Sequence, residues 1–281
     1  MLQQRLVTAL VLLGVLLSAL LYPAPWVFGG LMLVFLAVGA WEWSTLNGLG
    51  RSSSWTVCGL SLGVGSLLGW AGLWQTAPVW LWPLAVMMWV LLGGVVLYLG
   101  VQVWALYPRW LRLVSGLLAL GTAWLALVQA RQVGINFVFS VLALVWAADI
   151  GAYFAGRALG GRFCRRKLAI SISPAKSWEG VVGGVVCVMV LAWAWHQADV
   201  ALTVAVPSWF THVNAKGALF AGLACGIMVA MSVTGDLIES LVKRSAGVKD
   251  SSALLPGHGG VLDRVDALLP ALPLAMMFYT W

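Results

Sequence analysis

Long apolar runs, each near 20 residues and separated by short polar breaks, dominate the chain. Windows of ~19 residues read for membrane-crossing length predict helices at roughly 6–22, 25–43, 55–74, 78–99, 111–130, 134–156, 178–196, 217–242 and 262–281. The runs are continuous and do not alternate over ~10 residues, which argues against an outer-membrane barrel. The expected fold is an all-α polytopic integral membrane protein with about nine transmembrane helices. The first run follows a lone Arg5 and could imitate a signal peptide, but Tyr22-Pro23-Ala24-Pro25-Trp26 is a poor cleavage site, so it reads as a retained helix.

Composition narrows the class further. Of 281 residues, 62% are hydrophobic and 9% charged, with a mean hydropathy of +0.97. Soluble domains run nearer ~45–50% apolar and ~25% charged. A soluble domain, a disordered chain and a disulfide scaffold are thereby excluded. Cys58, Cys164, Cys187 and Cys225 form no CxxC pair and read as small hydrophobes. The net charge of +7 points to cytoplasmic loops facing anionic headgroups, not to nucleic acid, since no long basic stripe exists. With a cytoplasmic N-terminus and nine spans, all Lys and Arg except Arg131 and Lys216 fall inside. Tryptophans near span ends (Trp26, Trp41, Trp43, Trp74, Trp80, Trp82) suit interfacial belts.

The acids divide the chain in two. Residues 1–135 carry Glu42 alone and read as a transmembrane scaffold of about five helices. Residues 136–281 carry the other eight, with cytoplasmic loops at 157–177 and 244–261, and read as the catalytic region. An ionised Asp at a membrane-helix centre costs ~2.5–3.5 kcal/mol or more. Asp149, Asp236, Glu239, Asp263 and Asp266 all fall in or at the ends of apolar spans. Asp236, Glu239, Ser240 and Lys243 share one helix face, and Asp263 and Asp266 share another. Facing carboxylates repel unless a cation lies between them. Hard oxygens without His or Cys suit Mg²⁺ better than zinc. The alternative is a structural ion-pair network built on Glu239 and Lys243.

Two loops carry the remaining chemistry. Across 240–266, Lys243, Arg244, Lys249 and Arg264 alternate with acids, and Gly257, Gly259 and Gly260 surround His258. Glycines let backbone N–H groups approach an anion closely. Ser173-Pro174-Ala175-Lys176-Ser177-Trp178-Glu179-Gly180 opens the seventh span. Ser177 can N-cap it with Glu179 in the first turn, whereas Lys176 opposes the helix dipole and reads as a phosphate contact. Arg162, Arg165, Arg166 and Lys167 read as a headgroup anchor, and His196 and His212 as structural.

At these residues the chain resembles the phosphatidate cytidylyltransferases (CDP-diacylglycerol synthases). Their signature is matched from Ser240 to Asp266: Ser-x-apolar-Lys-Arg, Lys249-Asp250, Pro256, His258-Gly259-Gly260 and Asp263-Arg264-x-Asp266. Gly235-Asp236-Leu237-x-Glu239-Ser240, Asp149-x-x-Ala152-Tyr153-x-x-Gly156-Arg157 and Ser173 to Gly180 are similar to family segments too; Ser177 stands where Thr is more usual. The resemblance covers about 140–281. It implies that CTP and phosphatidic acid give CDP-diacylglycerol and pyrophosphate, in an inner-membrane homodimer that needs Mg²⁺ and admits a second cation such as K⁺. Asp236, Asp263, Lys249, Asp250, His258 and Arg264 form the implied catalytic set. Lys176, Ser177, Ser240, Lys243, Arg244, Gly259 and Gly260 would bind substrate. Asp236, Asp263, Glu239, Asp266 and Asp149 would hold metal. A CTP-dependent lipid-alcohol (polyprenol) kinase is the alternative enzyme, and a cation transporter the alternative class.

Overall fold

A computed structural model describes residues 2–164 and 167–281, without the side chains of 2–6 and 9. The Arg5, Arg165 and Arg166 side chains invoked above therefore lie outside the described residues. Every predicted span falls on a helix. These are α1 (Leu2–Leu21), α2 (Pro25–Leu46), α3 (Arg51–Trp70), α4 (Leu81–Leu99), α5 (Arg109–Val133), α6 (Ile135–Leu159), α7 (Trp178–Ala201) and α9 (Ala218–Ser245). A short α8 (Trp209–Asn214) intervenes, and the last window is split into α10 (Leu262–Val265) and α11 (Leu268–Thr280).

Among the described residues, six helices are long and apolar enough to cross a membrane: α2, α4, α5, α6, α7 and α9. The windows 6–22, 55–74 and 262–281 are helical but not among these six. The α3 helix opens on Arg51-Ser52-Ser53-Ser54 and carries four glycines. The last window is interrupted at Asp266–Ala267, which leaves α11 only 13 residues long. That short helix is buried along most of its length and packs against α4, α5 and α9. It thereby joins α4 and α5 of the N-terminal half to α9.

Glycine sets a close backbone contact between α6 and α7. A Cβ at Gly184 would stand 2.9 Å from the Ala148 carbonyl oxygen, and one at Gly151 would stand 2.8 Å from that of Gly183. The small-residue pair Gly180 and Gly184 is thus used within the chain, against α6. This contact brings Asp149 on α6 beside the start of α7. In α4 a π-helical turn, Trp89–Gly93, presents Gly93 to Ile238 of α9.

Two tryptophans expected at the interfaces lie in the core. Trp82 is buried, and Trp43 packs over Gly116 of α5 with its indole N–H donating to the Arg112 carbonyl at 2.9 Å. An indole can leave the interface once its N–H finds a partner. Trp26 and Trp80 remain exposed. The two basic residues assigned to the outer side both neutralise helix ends. Arg131 donates to the Leu20 and Tyr22 carbonyls at the end of α1, and Lys216 donates to the Phe278 carbonyl near the end of α11.

If the α6–α7 contact is steric, Gly184→Ala will destabilise the protein by about 1–3 kcal/mol. Gly226→Ala, whose added methyl meets open space, will be neutral or mildly stabilising. Thermal unfolding in detergent distinguishes the two.

Candidate active site

The predicted residues gather at one end of the bundle in two adjoining groups. The first lines a cleft of about 490 Å³ formed by α6, the segment before α7, and α9. Asp149, Tyr153, Arg157, Ser173, Lys176, Ser177 and Asp236 face it. Ser177 caps α7 as expected, accepting from the Gly180 N–H at 3.1 Å. That cap fixes the chain direction at Lys176, whose Nζ reaches Asp236 at 2.5 Å. Ser240, one turn along α9, donates to the other Asp236 oxygen at 3.2 Å. The Asp149, Asp236 and Asp266 carboxylates lie within electrostatic reach of one another, and Lys176 is their one ion-paired cation among the described residues.

The second group centres on Lys243. Its ammonium bridges Glu239 on α9 and Asp263 on α10, each at 2.5 Å. Asp263 Oδ2 also accepts from the Ser251 N–H and hydroxyl, both at 2.9 Å, and from the Gly260 N–H at 2.7 Å. Donation from Lys243, Gly260 and Ser251 meets the charge of this partly buried carboxylate. Glu239 Oε1 is buried without a hydrogen-bond partner.

The glycine loop is shaped by close approach. Gly257 and Gly259 have φ of +76° and +81°, and the Leu255 N–H closes the turn on the Gly259 carbonyl at 2.8 Å. A Cβ at Gly259 would meet Asp263 Oδ2 at 2.6 Å, and one at Gly260 would collide with Ser251 and Glu42. The N–H groups of Gly260, Val261 and Leu262 point at the chain's own carboxylates. His258 is half-buried, with a buried Nδ1 that lacks a partner. Lys249, Asp250 and Arg264 are exposed around this loop, as is Arg244, which donates to the Val248 carbonyl at 3.2 Å.

Two acids not assigned to the site organise its loops. Glu42 is fully buried and is met by four donor groups of residues 251–262. Glu179, read as a helix-start residue, accepts from the Gly161, Phe163 and Cys164 N–H groups at 3.2, 3.1 and 2.8 Å. Each belongs to a helix and ties down a loop distant in sequence. The signal for Glu42 was present: it is a lone acid in an apolar run.

The chemistry of the donor set fits Mg²⁺, since all five acids are hard oxygen ligands and, among the described residues, two lysines are ion-paired with them. Among the described residues, no three His, Cys, Asp or Glu side chains are grouped closely enough to hold one ion. Mg²⁺ is commonly held by one or two carboxylates together with substrate phosphates and water, so two acids and a nucleotide suffice.

Comparison with known proteins decides the family. The model for the cytidylyltransferase family matches residues 3–281. The chain belongs to that family. It is 40% identical to a phosphatidate cytidylyltransferase of Pseudomonas aeruginosa, over 97% of this chain and 95% of that protein. It is 34% identical to the phosphatidate cytidylyltransferase of Brucella suis, over 99% and 93% respectively. A third so named, from Haemophilus influenzae, is 48% identical over 147 residues, 52% of this chain and 46% of that protein. In this cytidylyltransferase-family chain the resemblance seen in residues 140–281 extends through the N-terminal half as well.

Lys243→Met will leave Glu239 and Asp263 facing each other without a cation. Removing one partner from a buried ion pair costs about 3–5 kcal/mol, so unfolding in detergent will shift by that amount, while Lys249→Met at the exposed loop leaves the midpoint in place.

Proposed function

We propose that this chain transfers the cytidylyl group of CTP to phosphatidic acid, giving CDP-diacylglycerol and pyrophosphate. The observation that carries this reading is the meeting of Lys176, Ser177, Asp149 and Asp236 in one open cleft, in a chain similar along nearly its full length to proteins named for that activity. The cleft offers charge of both signs to a phosphate-rich substrate. Its walls are spanning helices, so a lipid can present its headgroup while its acyl chains remain in the bilayer.

The lipid already carries its nucleophile. A phosphate oxygen attacks the α-phosphorus in line and pyrophosphate departs, so the protein's work is orientation and charge stabilisation. Lys176 is placed by the Ser177 cap to exchange Asp236 for a phosphate. Lys243, Arg244, Lys249 and Arg264 neutralise the triphosphate, with His258 on the pyrophosphate side. Asp236 with Asp149 or Asp266 would hold Mg²⁺, and Asp263, Glu239 and Asp250 would complete the set directly or through water. A bound Mg²⁺, with K⁺ as a candidate second cation, supplies countercharge to the nucleophile and leaving group.

The membrane placement extends the same reading. The distribution of basic residues supports a cytoplasmic N-terminus, nine spans and a site on the cytoplasmic side of a bacterial inner membrane, where CTP is available. The family resemblance supports a homodimer.

Purified protein given CTP, Mg²⁺ and phosphatidic acid will release pyrophosphate in step with CDP-diacylglycerol, and Asp236→Asn will lower that rate by ~10²-fold or more. Release of CDP with a phosphorylated lipid would instead establish a lipid kinase and overturn the reading.

A further inference from the structure

We infer that Glu42 is a positioning residue for the reaction: it holds the 251–262 loop, and through it Asp263 and Lys243, in the working arrangement. Glu42 lies on α2, more than 200 positions from this loop. Its side chain has no exposed surface. The Ser252 hydroxyl donates to it at 2.6 Å, the Val261 and Leu262 N–H groups at 2.9 and 2.7 Å, and the Ser251 hydroxyl, whose single proton is shared with Asp263, lies at 3.1 Å. Among the described residues no Lys or Arg is ion-paired with it. A buried carboxylate without a cation depends wholly on its donors, and all of these come from the catalytic loop.

The connection onward is short. The Ser251 hydroxyl lies between Glu42 Oε2 and Asp263 Oδ2, 3.1 Å from one and 2.9 Å from the other. Gly260 passes so close to Glu42 and Ser251 that a side chain there would displace them. Asp263 in turn fixes Lys243. The other end of the tie is rigid, because neighbouring Trp43 is buried over Gly116 and bonded to the Arg112 carbonyl. Glu42 thus registers the scaffold half against the site and touches no substrate itself.

This inference rests on the proposed cytidylyl transfer for its kinetic test, and a second measurement is independent of it. Glu42→Gln keeps the shape but turns an NH₂ toward N–H donors. Hydrogen bonds to a charged group are strong enough that kcat will fall about 10- to 100-fold, while KM for CTP changes less than about threefold. Amide hydrogen exchange without substrate will quicken at Val261 and Leu262 by a similar factor, with α6 and α7 unaffected. If Glu42→Gln does not fold, the Ser251→Ala, Ser252→Ala double variant is read by the same two measurements. Unchanged exchange at Val261 and Leu262, or unchanged kcat in a folded variant, overturns the inference. A wild-type protein that forms no CDP-diacylglycerol overturns only the proposed reaction and leaves the exchange result standing.

Discussion

A carboxylate removed from water into an apolar helix bundle must be met by a cation or by several hydrogen-bond donors, or it will not remain charged. That requirement shapes the functional end of this protein. Glu42 and Glu179 are met by loop donors, Asp236 by Lys176 and Ser240, and Glu239 and Asp263 by Lys243. The ties from Glu42 to residues 251–262, from Lys176 to Asp236 and from Lys243 to Asp263 join separate segments of the chain, whereas Glu239–Lys243 and Asp236–Ser240 are single-turn contacts within α9. The loops of the site are held by buried charge more than by packing of their own.

Two roles emerge among the acids. Glu42, Glu179 and Asp263 are surrounded by backbone and hydroxyl donors, and they fix the loops 251–262 and 161–164. Asp149, Asp236 and Asp266 face or adjoin the cleft with few donors of their own, so their mutual repulsion is relieved most by added positive charge. Lys176 provides one such charge. A lysine on a flexible stem is suited to exchange partners when a phosphate enters. The donor-rich acids hold the loops in place, and in the proposed reading the repelling ones receive the cations.

Much of this was legible in the sequence. Apolar runs of membrane length located the helices because backbone satisfaction in lipid leaves few alternatives. The expense of acids in such runs singled out Asp149, Asp236, Glu239, Asp263 and Asp266, and the Ser177 cap followed from local pattern alone. The interruption at Asp266–Ala267 was not legible, because the apolar window continues across it. Nor was the tie from Glu42 to residues 251–262, since nothing local to α2 names its partner. The same cost that marked Asp149 applied to Glu42, but its isolation among scaffold helices hid the function. Trp43 and Trp82 misled for a related reason: an indole reads alike at an interface and in a core until its N–H partner is known.

The most direct test of the whole account is anomalous diffraction from crystals grown with Mn²⁺ and a non-hydrolysable CTP analogue. The account predicts a metal peak against Asp236 with Asp149 or Asp266, the triphosphate in the same cleft, and Lys176 moved from Asp236 onto phosphate. A nucleotide and metal bound away from that cleft, with the Lys176–Asp236 pair intact, would contradict it.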